Sequence, residues 1–229
     1  MNKFILALLV AFISQSIISQ RAYNFDYMMA YTYQESLEGP IKVQAVFINS
    51  KDNRYHLILQ NDGNPDFEFN FVDHERKFET FFSLEKSSFL NANRINLDCD
   101  LVKRIGTPKY NTKFAKKYFF EIQKDTVIQD TAYNHIVLKR RNPKKRKKNW
   151  EIHYITHKTE KFEKPFIGNH KVYLIWQQIV NKEKFNFDVI KEEYSLKKGK
   201  EKAFVYKFTE MRKITNKYIY IPDDCDYSN

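Results

Sequence analysis

The segment best suited to binding by charge is a basic run in the second half of the chain. Eight of its ten residues are Lys or Arg: Lys139, Arg140, Arg141, Lys144, Lys145, Arg146, Lys147 and Lys148. Asn142-Pro143 is a turn signal, so we expect a protruding hairpin tip, called the basic tip below. Such a tip suits anions such as lipid headgroups or acidic glycans, and a solvated polar loop is the alternative. No aromatic residue interrupts the run, which disfavours nucleic-acid binding by base stacking.

The two cysteines each lie between two aspartates. The segments are Asp98-Cys99-Asp100 and Asp224-Cys225-Asp226. In an oxidising compartment two cysteines default to a disulfide, so Cys99 and Cys225 are predicted to pair. Pairing would gather the carboxylates, which either a Ca²⁺ ion or nearby lysines would neutralise. Neither zinc-ligand spacing nor a calcium-loop pattern is present, and no metal site is predicted.

Histidines suggest a second, weaker metal hypothesis. Glu151, His153 and His157 lie at even spacing and would share one face of an extended segment, with His135 on the strand before. The sequence does not determine the register across the intervening loop. We therefore expect ordinary surface histidines here, and the remaining histidines have no evident partner.

Glycine content excludes several kinds of catalytic site. The chain has five glycines, and no two lie within twenty residues of each other. Phosphate-binding loops, dinucleotide fingerprints and nucleophile elbows all need clustered glycines. No serine or cysteine has the local context of an activated nucleophile, and carboxylates alone do not define a glycosidase. The sequence thus favours a non-catalytic protein and predicts no cofactor.

The first twenty residues indicate the compartment. Lys3 precedes an unbroken apolar run from Phe4 to Phe12, and a small, weakly polar segment follows. The run is too short for a membrane-spanning helix, which needs about 20 residues. We predict a cleaved signal peptide over residues 1–19, with cleavage after Ser16 or an uncleaved anchor as alternatives. The protein would then be secreted or periplasmic, with a single β-rich domain over residues 20–229.

The positioning elements are mainly strands. Period-two alternation recurs along the chain and predicts about eleven strands, including a meander from Val43 to Phe82 and a strand over residues 172–180. Residues 84–92 are predicted to form a short helix. Aromatic residues make up 16% of the chain, which favours sheet. The predicted fold is mainly β, a curved antiparallel sheet or unclosed β-barrel with one or two short helices.

Aromatic rows on the early strands are the candidate lining of a ligand site. These residues are Phe25, Tyr27, Tyr31, Tyr33, Phe67, Phe69 and Phe71. A sheet must cover its apolar face, and the predicted helices are too short to cover all of it. Closure of the sheet or a bound apolar ligand would complete the cover. The alternative is a plain hydrophobic core, which has the same sequence pattern.

The strand pattern resembles the periplasmic lipoprotein-carrier, or LolA-like, architecture. It consists of an aromatic first strand from Phe25 to Tyr33, a meander from Val43 to Phe82 and a strand-rich second half. The resemblance lies in the strand pattern of nearly the whole mature chain and in no short motif. It implies an unclosed β-barrel with a concave apolar face for acyl chains. The basic tip and the Asp-Cys-Asp pair are additions to that pattern.

The leading functional prediction is a non-catalytic binder or carrier of a hydrophobic or amphipathic ligand at the cell envelope. Its expected partners are a lipid or amphipathic ligand and, given the formal charge of +11, an anionic envelope surface. One alternative is a surface adhesion module that binds acidic glycans or headgroups through the basic tip. Another is a hydrolase of unknown class, which would need a polar cleft with perturbed carboxylates or histidines.

Overall fold

The computed structural model describes residues 19–36, 38–61, 63–106, 113, 116–142, 144, 150–157, 162, 166–179, 189–197 and 201–225. Residues 1–18, which form most of the predicted signal peptide, lie outside this part of the chain. Within it, every helix is too short or too polar to cross a membrane.

Thirteen strands and two α-helices have described bounds. The strands are β1 (Gln20–Gln34), β2 (Lys42–Asn49), β3 (Asp52–Gln60), β4 (Asp66–Asp73), β5 (Phe78–Glu85), β6 (Arg94–Asn96), β7 (Val102–Arg104), β8 (Tyr118–Ile122), β9 (Thr126–Ile128), β10 (Thr131–Arg140), β11 (Trp150–Thr156), β12 (Ile190–Lys197) and β13 (Glu201–Pro222). The helices are α1 (Lys86–Asn91) and α2 (His170–Ile179), and a 3₁₀ turn spans Cys99–Leu101.

These strands form one curved sheet that does not close into a barrel. The order is β7-β5-β4-β3-β2-β1-β13-β12-β11-β10-β8, with β6 beside β13 and β9 beside β10. Pairing is antiparallel along this path, whereas β6 runs parallel to β13. Strand β13 has 22 residues and pairs with both β1 and β12, so it joins the two halves of the sheet. The predicted fold class is confirmed.

One predicted element is wrong, because the strand expected over residues 172–180 lies in helix α2. Four of its apolar residues recur at helical spacing and are buried: Val172, Tyr173, Ile175 and Trp176. The side-chain oxygen of Asn169 caps the helix by accepting hydrogen bonds from the backbone N–H groups of Lys171 (3.0 Å) and Val172 (3.4 Å). The β-branched and aromatic composition favoured a strand, but burial of one helical stripe determines the conformation.

The two faces of the sheet bury different groups of side chains, as β2 shows. Phe47 packs on one face and Val46 and Ile48 on the other, since successive side chains of a strand point to opposite sides. On the Phe47 face, Phe89 of α1 covers the first half of the sheet. The buried residues there, called the packed cluster below, are Tyr23, Phe25, Phe47, Tyr55, Leu57, Leu59, Phe69, Phe71, Phe78, Phe89, Ile95, Leu97, Val102, Ile219, Ile221 and Cys225.

Strand β1 contributes to both faces. Phe25 belongs to the packed cluster, whereas Met29 and Tyr31 pack on the opposite face. Strict alternation would keep these odd-numbered residues together. The register between β1 and β13 shifts between Phe25 and Tyr27, and this irregularity moves the following odd-numbered side chains to the other face. Helix α2 covers that face at the far end of the sheet, where Trp176 packs with Ile136 of β10 and Tyr154 of β11.

Candidate functional site

A cavity of about 490 Å³ opens on the α2 face of the sheet. Strands from both halves form its floor, and the segment 166–169, which leads into α2, forms its cover. This volume lies within the range of about 300–1,000 Å³ typical of small-molecule sites. The described lining residues are Tyr31, Tyr33, Gln34, Glu35, Gln44, Ile58, Tyr154, Phe166, Ile167, Gly168, Asn169, Ile190, Glu193, Phe204 and Tyr206.

Four neighbouring strands place a row of aromatic and acidic side chains across the floor. Tyr33 of β1 lies opposite Tyr206 of β13, and Tyr206 lies opposite Glu193 of β12. Glu193 in turn lies opposite Tyr154 of β11. Directly opposed residues share a face, with Cβ atoms about 4.5–5.5 Å apart. The rings of Tyr33 and Tyr206 stack with centroids 5.2 Å apart and 12° between their planes. Glu193 therefore lies in a line of three phenols.

Burial keeps the cavity tyrosines protonated. It raises the pKa of Tyr206 to about 12 and, together with the charge of Glu193, raises the pKa of Tyr31 and of Tyr154 well above the usual value. The hydroxyl of Tyr31 points to the sulfur of Met29, 3.6 Å away. At neutral pH these tyrosines, which line the open volume, are therefore uncharged.

Glu193 and Glu35 are the acids among the described lining residues, and their environments differ. Burial raises the pKa of Glu193 to about 7 from 4.5, and its carboxylate makes no hydrogen bond or ion pair with any described residue. Glu35 lies exposed at the mouth and pairs with Lys42 at 3.3 Å. The ammonium group of Lys42 also lies 5.8 Å from the centre of the Tyr33 ring. Only Glu193 therefore keeps a carboxylate available to a ligand on the floor.

Neutral histidines hold the cover of the cavity against the first half of the sheet. His74, in the turn after β4, bonds through Nε2 to the carbonyl oxygen of Ile167 at 2.8 Å. Because that oxygen accepts, Nε2 carries the proton, and Nδ1 of His74 accepts from Nδ1 of His170 at 3.3 Å. The ring of His74 stacks on Tyr173 of α2 with centroids 4.4 Å apart. These contacts connect the β4–β5 turn to both the cover and α2.

His56 of β3 completes this histidine group. Its ring centroid lies 5.2 Å from that of His74 and 5.1 Å from that of Phe166 in the cover. Burial lowers the pKa of His56 to about 3 and of His170 to about 4, and lowers that of His74 well below its usual value. All three rings are therefore neutral at pH 7. Their wide sequence separation gave no signal that they would meet.

The chemistry of the lining does not match a nucleophilic hydrolase. Within the described lining there is no serine, cysteine or histidine. Its carboxylates, Glu35 at the mouth and Glu193 on the floor, are surrounded mainly by aromatic and aliphatic side chains. A nucleophile needs a base within hydrogen-bond reach, and the described lining side chains include no serine or cysteine beside a histidine.

The structure divides the seven aromatic residues predicted to line a ligand site. Those in the packed cluster or against it are Phe25, Phe67, Phe69 and Phe71. Those on the cavity face are Tyr27, Tyr31 and Tyr33, of which the last two line the cavity. Tyr27 packs instead on Phe162, with ring centroids 5.3 Å apart.

Sequence reasoning missed the residues that complete the floor. Tyr154, Glu193 and Tyr206 reach the site because β1 pairs with β13, which is distant from it in sequence. In β12, Ile190 also lines the cavity, but a register irregularity between Ile190 and Glu192 breaks the period-two pattern that would relate it to Glu193. Because Glu193 follows Lys191 and Glu192, the sequence did not predict that it would face the cavity.

The basic tip lies between β10 and β11. The ammonium group of Lys139 pairs with Glu121 at 3.0 Å, and the guanidinium of Arg141 lies 5.5 Å from the ring centre of Phe119. Arg140 lies opposite Tyr118 in the β10–β8 register, and Lys144 is exposed. The other residues, Lys145, Arg146, Lys147 and Lys148, lie outside the described residues. Anion binding by the tip stays a prediction.

Cys99 and Cys225 form a disulfide across 126 residues of sequence. It lies at the packed cluster, away from the cavity. Of the nearby aspartates, Asp223 pairs with Arg76 at 3.4 Å and accepts a hydrogen bond from the hydroxyl of Ser19 at 2.6 Å. Across the described part of the chain, no three His, Cys, Asp or Glu side chains group to hold a metal ion, and Asp226 lies outside that part.

The β10–β11 register brings His135 and His153 together, with 2.9 Å between Nε2 and Nδ1. His153 stacks on Tyr194, on the face opposite Glu193. His157 does not join them, because a register irregularity precedes it and its ring packs on Phe208 instead. The even row of Glu151, His153 and His157 expected from the sequence is therefore broken.

No protein-family model matches the chain, and no characterised protein shows significant sequence similarity to it. Among solved structures, the Pseudomonas aeruginosa MucA/MucB complex matches with a TM-score of 0.42 and 10% identity, over 82% of this chain and 51% of that chain. This chain thus spans about half the length of the first structures that it matches.

Two further solved structures match over most of their own length. A putative outer membrane lipoprotein-sorting protein domain from Vibrio parahaemolyticus matches with a TM-score of 0.33 and 9% identity, over 83% of this chain and 86% of that one. A LolA superfamily protein from Nitrosomonas europaea matches with a TM-score of 0.29 and 10% identity, over 82% of this chain and 86% of that one. The matched structures thus include a LolA superfamily protein, the resemblance that the strand pattern suggested, and no motif accompanies the match.

Proposed function

We propose that this protein is an exported, non-catalytic binder or carrier of an amphipathic ligand at the cell envelope, and that the ligand occupies the cavity. The supporting observation is the open volume of about 490 Å³, bounded by aromatic rings and by few polar groups. An apolar tail would pack on Ile58, Phe166 and Tyr31. The polar end would meet the row that contains Glu193.

Export is part of this proposal, with residues 1–19 as the signal segment. The structure adds one constraint on its cleavage site. The hydroxyl of Ser19 donates to Asp223, and the carbonyl oxygen of Ser19 accepts from the backbone N–H of Asp223 at 2.9 Å. Cleavage after Ser16 keeps both bonds, whereas cleavage after Ser19 removes them. The intact mass of the secreted protein distinguishes these products from the unprocessed chain.

Native mass spectrometry of the gently purified mature protein tests the binding proposal. We expect a co-purifying amphiphile, and we expect a neutral fluorescent probe, N-phenyl-1-naphthylamine, to bind the stripped protein and be displaced by that amphiphile. A stripped protein that binds neither the probe nor a dodecyl-chain detergent monomer would overturn the proposal.

Neighbouring residues of β2 supply a matched pair of variants. Gln44 is buried and lines the cavity, whereas Val43 is 59% exposed on the opposite face. Gln44→Trp should weaken probe binding about tenfold or more, because the indole occupies ligand space, while Val43→Trp should leave it unchanged. Ile58→Phe is a milder filling variant if Gln44→Trp does not fold. Equal binding by all folded variants would place the probe outside the cavity and contradict the proposal.

A further inference from the structure

We infer that the polar end of the ligand is a cation, an alkylammonium group held by Glu193 within the ring of cavity tyrosines. This inference rests on the proposed function and adds the chemical class of the ligand. Three observations on the lining support it, namely its sign of charge, its aromatic faces and the unpartnered state of one carboxylate.

The sign of charge in the cavity is opposite to that of the whole chain. The chain has 39 Lys and Arg against 28 Asp and Glu. The described lining contains Glu35 and Glu193 and no Lys, Arg or His. A purely compositional drift toward basic residues would not remove them from this surface. A cation on the floor therefore meets an acidic side chain, whereas a phosphate, sulfate or carboxylate head meets a repulsive one. Lys42, which lies opposite Tyr33 at the mouth, is paired with Glu35 at 3.3 Å, so its charge is largely offset there.

Aromatic faces provide the second element of cation recognition. Tyr33, Tyr206 and Tyr154 lie in one cross-strand row with Glu193 between two of them, and the rings of Phe166 and Phe204 also border the space. Ring faces attract ammonium groups within about 6 Å, and aromatic cages recognise quaternary ammonium ligands. The ammonium group of Lys42, 5.8 Å from the Tyr33 ring, shows that this ring accepts a cation at the mouth.

The carboxylate of Glu193 is the third element. It has no hydrogen-bond or ion-pair partner in the described part of the chain. The titratable or charged groups that face it are Tyr154 from β11, Tyr206 from β13, and Tyr31, Tyr33 and Glu35 from β1 and its end. None of them is cationic. A buried carboxylate is stabilised in its ionised form by a cation at contact distance, so ammonium binding and ionisation of Glu193 should be coupled.

Three detergents with the same dodecyl tail test the inference, each below its micellar concentration and measured by isothermal titration calorimetry. They are dodecyltrimethylammonium, dodecyl maltoside and dodecyl sulfate. At about pH 8 we expect the ammonium probe to bind about tenfold or more tightly than the maltoside, and the sulfate to bind most weakly. Affinity for the ammonium probe should fall toward about pH 6 as Glu193 becomes protonated, while maltoside affinity stays constant.

Two lining carboxylates serve as test and control. Glu193→Gln should remove the preference, so that the ammonium probe binds no more tightly than the maltoside to the same variant. Glu35→Gln should retain most of the preference, because Glu35 is exposed and already paired with Lys42. If maltoside binds and the ammonium probe gains nothing over it, or if Glu193→Gln keeps the preference, the inference is wrong while the proposed function stands. If no probe binds, the proposed function itself fails.

Discussion

The packed cluster and the cavity are built from the same kinds of residue on opposite faces of one sheet, yet one is filled and the other is open. In the packed cluster the rings of Phe69 and Phe89 lie 4.7 Å apart, and Phe25 and Phe71 are fully buried. On the cavity face Tyr31 and Tyr33 border about 490 Å³ of space. Aromatic richness alone therefore does not distinguish a core from a binding site.

The difference lies in what covers each face. Helix α1 inserts Phe89 directly among the rings of β2 and β4. Helix α2 instead packs over β8, β10 and β11, and among the described residues Phe162 and the segment 166–169 reach the middle of the sheet. Polar groups accompany the open region, where Glu193 and the tyrosine hydroxyls meet the cavity. A cover that stops short, over a floor with polar tips, is the arrangement of a site.

The largest difference between the two regions should be the loss of unfolding free energy when an aromatic ring is removed. Phe71→Ala removes a fully buried ring of the packed cluster and should lower the free energy of unfolding by about 3–5 kcal/mol. Tyr206→Ala removes a ring that borders open space, and should cost less than half as much while weakening ligand binding. Urea unfolding followed by circular dichroism measures both losses. Equal losses would contradict the distinction between a filled and an open region.

Removal of the disulfide should affect the packed cluster and spare the cavity. The double variant Cys99→Ser/Cys225→Ser should lower the free energy of unfolding by about 2–4 kcal/mol, because the bond closes a long loop of the unfolded chain. Binding of N-phenyl-1-naphthylamine at a temperature where the variant is folded should be unchanged. A variant that is as stable as the parent, or that folds but loses the probe, would show that the two regions are not separate in this way.

Acid should loosen the cover of the cavity. Burial lowers the pKa of His56 to about 3 and of His170 to about 4, so below about pH 6.5 the unfolded state binds more protons than the folded state. The free energy of unfolding should therefore be highest above about pH 6.5 and should fall as the pH drops toward 4. His56→Phe should remove about 2 kcal/mol of this pH dependence. An unchanged profile in His56→Phe would refute this role.

Glu193 should give a smaller effect of opposite sign. Burial raises its pKa to about 7, so between about pH 4.5 and 7 the folded state binds more protons than the unfolded state, and stability falls as the pH rises. The expected loss is on the order of 1 kcal/mol, because the side chain of Glu193 is only partly buried and borders the cavity. The difference in unfolding free energy between the parent and Glu193→Gln, measured across this range, isolates the effect. A flat difference would show that Glu193 is solvated in the ligand-free protein.

The first half of the fold was predictable because its contacts are local. Alternation and turn residues marked β2 to β5, whose hairpins join strands that are adjacent in sequence. The short helix predicted over residues 84–92 corresponds to α1. The side on which each ring would pack was not predictable, since the irregularity between Phe25 and Tyr27 depends on the partner strand β13.

The cavity was less accessible to sequence reasoning for the same physical reason. Its floor depends on the pairing of β1 with β13, whose partners are separated by almost the whole chain. Its cover depends on Asn169 and α2, a helix whose β-branched and aromatic residues resembled a strand. Tyr31 and Tyr33 were among the predicted lining residues, whereas Glu193 carried no signal apart from its charge.

The central position of β13 has a consequence for how the protein is made. The middle of the sheet is complete only after β13 has been synthesised, because β13 fills the gap between β1 and β12. Pairing of β1 with β13 is a contact of very high sequence separation, which slows folding. Until β13 emerges, β1 and β12 each lack the neighbour that joins the two halves of the sheet.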